Sequence, residues 1–458
     1  MNVETIQKQI PQDVVGLCAR LREQGKRGWI VGGCVRDLLR GKIPHDWDVA
    51  TDARPEEVRK IFRKVIDTGI AHGTVTVILR GVHYEVTTLR GEGAYSDGRR
   101  PDAVHFVNDI VADLARRDFT INAIALDPVD GHVIDPFEGQ RDLAARLIRA
   151  VGDPRERFGE DGLRVLRAAR FAATLGCEVE SGTRAAMGDP RSLDVYRKVS
   201  PERVRDEWWK AMLAPRPSEA FQLMLDAGLL AITCPELVES VGCEQNKHHA
   251  FDVWGHVMAC LDACAPKPIL RVAALLHDVG KPRSRKMGDK THDWTFYNHE
   301  KIGADMADPI LQRLKVSNED RARVVRLVRH HLVCYAEDWT DATVRRWIRR
   351  VGPDLTGDLY DLGRADALGK GRDVRSELSS LDELEVRAKA QLEAGAALTT
   401  RALAINGSDL MKELGVAPGR IIGQTLEKLL ELVTDDPEHN TREALLEAAR
   451  GFIAAPQA

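Results

Sequence analysis

The chain lacks several things that would place it outside the soluble globular classes. No run of about 18 apolar residues occurs in its 458, so a membrane-spanning helix is not expected. The start, MNVETIQKQIPQDVV, has no basic segment followed by an apolar one, so no secretory signal is read there. The eight cysteines are scattered, only Cys260 and Cys264 lie one helical turn apart, and there is no CxxC pair. A disulfide framework and a cysteine zinc site are therefore not expected, and a reducing, cytoplasmic setting fits. Neither charge sign dominates: 66 Lys and Arg face 70 Asp and Glu, a net charge of −4. That balance neither demands nor excludes a nucleic-acid partner. Internal repeats and low-complexity linkers are absent too. What remains is a globular composition, 43% hydrophobic and 30% charged, and a length that fits about three domains at ~150 residues each.

Local pattern carries more. Residues 13–25 read as a helix closing at Gly25. WIV is a short buried strand, Gly32-Gly33 a break, and CVRDLLR a helix that stops at Gly41. HDWDVAT alternates as a strand does, ARPEEVRKIFRK is a helix with Pro in its first turn, and GTVTVILRG and VHYEVTTLR are strands joined by a glycine turn. A mixed α/β domain with a mainly antiparallel sheet is expected over residues 1–145. From 146 the apolar residues recur at helical spacing (Leu163, Leu166, Ala169, Ala173) and no strand pattern returns. Helical segments are expected at 146–238, 239–372 and, as an acidic tail, 373–458. Arginines crowd residues 141–170, and Arg191, Arg197, Lys198, Arg203, Arg205 and Lys210 follow, a density suited to phosphate.

Two constellations carry chemistry. In the first, Asp46 and Asp48 are two apart on an expected strand and so would share a face. Paired carboxylates can hold divalent metals that activate a hydroxyl and stabilise a leaving phosphate. Glu85, mid-strand in HYEVTTLR, can complete the set. Gly32-Gly33 lets backbone N–H groups approach phosphate oxygens ahead of a helix, and Arg36 lies one turn into it. In the second, residues 240–370 hold eight of the fourteen histidines. The order His256, His277-Asp278, His299, His330-His331, Asp366 supplies imidazoles and carboxylates that suit a divalent metal.

Strand, GG, helix with Arg36 and Asp37, then DxD is the layout of the polymerase-β-related nucleotidyltransferases. GGCVRDLLRGKIPHDWDVAT resembles the signature of the class II tRNA nucleotidyltransferases (CCA-adding enzymes) and bacterial poly(A) polymerases. DGRRPDAVHF, DLARRDFTINAIALDP, IDPFEGQRDL and GEDGLRVLRAARFAATLG resemble that family's next blocks, in order. The resemblance implies an α+β fold: a nucleotidyltransferase head (1–145), an all-α neck (146–238), an HD body (239–372) and a helical tail (373–458). It implies CTP and ATP as donors, tRNA as acceptor and Mg²⁺ at Asp46 and Asp48, with Glu85 as third acid. It assigns Gly32, Gly33 and Arg36 to the triphosphate, and Arg117, Asp118 and Asn122 to ribose and phosphates. Asp161 and Arg164, expected on one helix, would read the base edge, with Arg167 and Arg170 as further nucleotide contacts. Partial CC- or A-addition and poly(A) synthesis are the alternatives within the class.

The histidine series resembles the HD superfamily of metal-dependent phosphohydrolases. The resemblance implies His256, His277, Asp278 and Asp366 as core ligands and His299 and His330 as ligands of a second metal. Lys281 would be a phosphate contact, and Mn²⁺, Ni²⁺ or Co²⁺ the metal. The reading from a different class is an HD phosphohydrolase whose head senses nucleotides.

Overall fold

The computed structural model describes residues 6–70, 73–91, 105–289 and 292–454. The DGRRPD segment lies outside the described residues. The chain divides into two compact units. One comprises Met1–Val238 with Arg313–Lys315, the other Glu239–Gln312 with Val316–Ala458.

The first unit is built on seven strands: β1 (Gly28–Val31), β2 (Asp48–Thr51), β3 (Val65–Gly69), β4 (Thr74–Leu79), β5 (Val82–Thr88), β6 (Ala125–Leu126) and β7 (Val133–Ile134). Their order is β3-β4-β5-β2-β1-β6-β7. All neighbours are antiparallel except β2 and β5, whose parallel register sets Asp48 opposite Glu85. The period-2 alternation fills both faces. Ile30, Val49, Val75, Val77 and Val86 pack on one side with Val14, Leu17 and Leu21 of the Gln12–Glu23 helix. Trp29, Val31, Ala50 and Leu89 pack on the other with Ile110 and Leu114 of the Ile110–Ala115 helix. Asp48 and Glu85 alternate onto this second face. Asp46 does not lie on the strand as expected. β2 begins at Asp48, and Asp46 sits in the exposed bend before it.

Helices follow from Pro154, several of them entered through a capping residue or a proline in the first turn. Two short ladders interrupt the all-helical expectation: Leu147–Ile148 pairs with Glu178–Val179, and Lys286–Met287 with Trp294–Thr295. Two-residue strands are too short to show any alternation in sequence.

In the second unit the Val253–Ala263 helix lies against the Thr356–Gly369 helix, and the Pro268–Leu276 helix against the Asn318–His330 helix. Glycine permits the closest approaches. A Cβ on Gly369 would stand 2.9 Å from Cys260 N, and one on Gly280 would stand 2.4 Å from His299 O. The tail packs around Leu410, Leu429, Leu430, Val433 and Leu445. No helix among the described residues is long and apolar enough to cross a membrane.

Candidate functional site

On the second face of the sheet is a cavity of about 430 Å³, whose walls include Asp48, Glu85, Arg116, Arg117, Asp161 and Arg164. Asp48 is partly desolvated and faces Glu85 and Asp46, which together hold its carboxyl above the usual range against the opposing charge of Arg117. The cavity's arginines are anchored by buried acids. Asp113, 1% exposed, takes Arg116 (Nη2–Oδ1 2.6 Å), Arg117 (Nη2–Oδ2 3.3 Å) and the N–H of Arg90 (3.1 Å). Burial raises its pKa, but these guanidiniums outweigh it and leave the carboxyl below its ordinary value.

Gly32 is shaped by this cluster. Its φ of +77° is open to glycine, and a Cβ there would stand 2.7 Å from Arg117 Nη1. Gly33 opens the helix Gly33–Leu39, but Arg36 points into the protein and not into the cavity. It is buried, donates to Asn122 Oδ1 (2.8 Å) and pairs with Asp37 (2.9 Å). Asn122 in turn donates to Asp118 Oδ1 (3.0 Å), and Arg167 Nε donates to Asp118 Oδ2 (2.8 Å). Burial would raise Asp118, yet Arg167 and Asn122 bring it down to about 2. Arg167 continues to Glu207 (3.6 Å), which also takes Arg170 and Lys210, and Arg170 lies over the Phe171 ring at 3.7 Å. Arg36, Asn122, Asp118, Arg167, Glu207 and Arg170 thus form one chain of contacts that runs from the protein interior to the cavity wall. Of the residues assigned to nucleotide, Arg117, Asp118, Asp161, Arg164 and Arg167 line the cavity. Arg36, Asn122 and Arg170 support it.

Asp161 and Arg164 do not share a helix. The Pro154–Glu160 helix ends at Asp161, whose extended conformation (φ −142°, ψ 108°) starts the break before the Leu163–Leu175 helix. That break turns the Asp161 carboxylate toward Arg203, which donates twice (Nη2–Oδ2 2.7 Å, Nη1–Oδ1 3.2 Å), while Leu163 N–H donates to Oδ1 (3.0 Å). Arg164 is held by Glu160, by Arg157 O (2.9 Å) and by Arg116 O (2.9 Å). Glu160, Asp113 and Glu207 were missed by sequence reasoning. Each reads locally as an ordinary helix acid, and only the fold shows which arginine it anchors.

In the second unit the histidines converge. His256 Nε2 lies 3.2 Å from His277 Nε2, 3.3 Å from Asp278 Oδ2 and 3.0 Å from Asp366 Oδ1. His299 Nε2 lies 3.2 Å from His331 Nε2 and 3.4 Å from Asp278 Oδ1. Two triads result, His256–His277–Asp278 and Asp278–His299–His331, sharing Asp278. The second corrects the sequence expectation: His331 closes it, not His330. The Asn318–His330 helix ends at His330, which stays half-buried among Arg326, Arg329 and Arg350. One residue further the ring turns inward and is 3% exposed. Nδ1 of His277, His299 and His331 each meets a main-chain carbonyl (Ala274, Phe296, Val328) at 2.7 Å. These bonds fix Nδ1–H as the donor in all three, so that in the neutral ring Nε2 is the atom free to bind a metal. Burial alone would lower His277, but Asp278 and Asp366 push it up to about 10, while burial and His277 drive His331 down to about 3.

A cavity lined by a strand carboxylate pair and by arginines is the arrangement expected of a nucleotidyltransferase. Residues 28–149 match the poly A polymerase head domain, 176–240 the probable RNA and SrmB-binding site of polymerase A, and 286–449 the tRNA nucleotidyltransferase domain 2. The CCA-adding enzyme of Limosilactobacillus fermentum is 33% identical over 464 residues, covering 99% of this chain and 100% of the relative. That of Lactobacillus johnsonii is 52% identical over 209 residues, 46% of this chain and 52% of its own length. The structure of the Bacillus stearothermophilus CCA-adding enzyme in complex with CTP superimposes with a TM-score of 0.74 at 28% identity, covering 96% of this chain and 98% of that one. The chain belongs to the CCA-adding enzyme family.

Proposed function

We propose that the chain adds C, C and A, from CTP and ATP, to the 3′ ends of tRNA. The observation that carries this reading is one cavity lined both by the in-register carboxylates Asp48 and Glu85 and by Arg117, Arg164 and Arg167. In this reading residues 1–145 are the catalytic head, 146–238 the neck, 239–372 an HD body and 373–458 a tRNA-binding tail. The eight free cysteines suit action in the cytoplasm.

Asp48 and Glu85, in register on neighbouring strands, would hold a divalent cation such as Mg²⁺, with Asp46 on the bend beside them; burial first, and then Glu85 and Asp46, raise the Asp48 carboxyl, and a cation relieves that repulsion. When bound, such a cation acidifies the attacking hydroxyl and offsets charge on the phosphates. The chain's own residues do the rest. Arg117 and Arg167 face the triphosphate, fixed by Asp113 and Asp118. Asp161 offers an acceptor to the exocyclic amino group that cytosine and adenine share, and Arg164 offers donors to the ring acceptors. A carbonyl in place of that amino group would leave Asp161 facing an acceptor, the kind of mismatch that rejects substrates strongly.

Incubation of tRNA lacking CCA with CTP alone, ATP alone and both tests the reading. CC should form with CTP alone and CCA with both; poly(A) tracts or a CC-only product would select the alternatives. Asp48→Asn should lower CTP incorporation by about three orders of magnitude, ~4 kcal/mol of transition-state stabilisation, with tRNA affinity retained. Asp161→Ala should instead raise UTP and GTP incorporation relative to CTP. Unchanged discrimination against both would place base reading elsewhere.

The histidine cluster supports a second activity, metal-dependent hydrolysis of phosphate ends or cyclic phosphates of RNA. Its donor set favours Mn²⁺, Ni²⁺ or Co²⁺ over Mg²⁺. His256, His277, Asp278 and Asp366 would hold one cation, and Asp278, His299 and His331 a second. A cation there lowers the pKa of bound water toward neutrality. Hydrolysis of 2′,3′-cyclic AMP with these metals, lost in Asp278→Ala while CCA addition persists, is the expected result.

A further inference from the structure

Between Cys243 and Val253 the chain forms a compact loop beside the histidine cluster. Val253 N–H donates to Cys243 O (2.9 Å) and joins its ends. Inside, Asn246 Oδ1 meets His248 N (3.2 Å) and His249 Nδ1 (3.1 Å). Four ties hold the loop away from the cluster: Arg285 to Glu244 Oε2 (3.1 Å), Lys247 N to Asp293 Oδ2 (3.2 Å), Ala250 N to Lys370 O (3.0 Å) and Arg372 to His249 O (3.1 Å). The fifth is different in kind. Lys281 Nζ lies 2.7 Å from Gln245 Oε1 and 2.7 Å from Asp278 Oδ2, so one ammonium joins the loop to the carboxylate that both triads share. The His249 ring meets the His256 ring edge-on at 5.0 Å. His256 and His277 are 0% exposed and Asp278 1%, while the Asp366 side chain beside them is 21% exposed.

We infer that Lys281 is a latch coupling cation occupancy of the cluster to this loop. The inference rests on the metal-centre reading above and adds its regulation. Without a cation, Lys281 supplies, beside the His277 ring, positive charge that the buried Asp278 carboxylate needs. A divalent cation held by Asp278 takes over that role. Lys281, itself only 6% exposed, then faces a charge of its own sign at close range with no carboxylate left to balance it. It withdraws from Asp278, and the polar tie between Gln245 and the cluster is lost. The loop then loosens, the cluster opens to a phosphate, and the freed ammonium is placed to meet it. Cation binding thus precedes substrate entry.

Hydrogen exchange of the full chain, in EDTA and with Mn²⁺ or Ni²⁺ alone, tests this, with cation uptake followed separately by calorimetry. Exchange of amides 244–251 should rise about tenfold or more on cation binding, while the Pro268–Leu276 helix is unchanged or slower. Lys281→Met should show the fast loop without cation. Gln245→Ala, which cuts the latch from the exposed side and leaves the buried pair intact, should do the same. Cation uptake with loop exchange unchanged or slowed would overturn the latch and leave the metal centre standing, as would a slow loop in both variants. No uptake of either cation would remove the metal centre and the latch together.

Discussion

Asp118 shows how a buried carboxylate can act through the arginine it holds. It holds Arg167 at the cavity wall and Asn122 behind it, and its carboxyl lies at about 2 in the folded chain. A carboxyl depressed from an unfolded value of about 3.9 contributes stability above that pH and loses it as pH falls toward 2, here about 2 kcal/mol. Asp118→Asn should lower the unfolding free energy of the first unit by about that amount or more near pH 7, since Arg167 keeps its charge and loses its partner. The gap between variant and wild type should narrow between about pH 4 and pH 2, as urea titrations at a series of pH values would measure. Equal stability at neutral pH would contradict the role given to this pair. Arg36 and Arg170 belong to the same chain of contacts, which is why their motif positions gave no clue that they stand behind the cavity.

At the scale of elements, the break between the Pro154–Glu160 and Leu163–Leu175 helices decides where Asp161 points. Gly162 makes the break fit. Its φ is ordinary (−59°), so conformational freedom is not the reason; a Cβ would stand 2.5 Å from Tyr196 N, against the Pro190–Tyr196 helix. Gly162→Ala must therefore push backbone apart, at a cost of about 1–3 kcal/mol for overpacking. It should lower the melting temperature and weaken discrimination against UTP together, because the displaced break carries Asp161. A melting-point loss with unchanged base choice would separate the packing from the reading. The Asn318–His330 helix illustrates the same dependence: its last turn decides that His331 and not His330 enters the cluster.

At the scale of the whole molecule, the arginine-lined cavity lies in one compact unit and the histidine cluster in the other. Linkage then makes a selective prediction. Mn²⁺ or Ni²⁺ at about 100 times its dissociation constant should stabilise the second unit by about 2.7 kcal/mol. The thermal transition of Glu239–Gln312 with Val316–Ala458 should rise while that of the first unit stays. Asp278→Ala should abolish the shift. Calorimetry of wild type and variant would measure it, and an equal shift in both would place the cation elsewhere.

What the sequence determined by itself is whatever is written locally. The strand–GG–helix–strand order, the alternation of β4 and β5 and the helical period from Leu163 follow from spacing, and the nucleotidyltransferase motifs named the family. Asp48 and Glu85 were both found this way. Their pairing was not: 37 residues apart, they meet only because β5 adds beside β2 in parallel. The tertiary structure alone decided which arginines face the cavity, which acids anchor them, and that Asp46 precedes its strand. It also decided that Asp161 and Arg164 face different partners across a break, and which of two adjacent histidines turns inward. A side chain's neighbours across the fold set its direction and charge, and a local pattern holds no record of elements that arrive from 50 residues away.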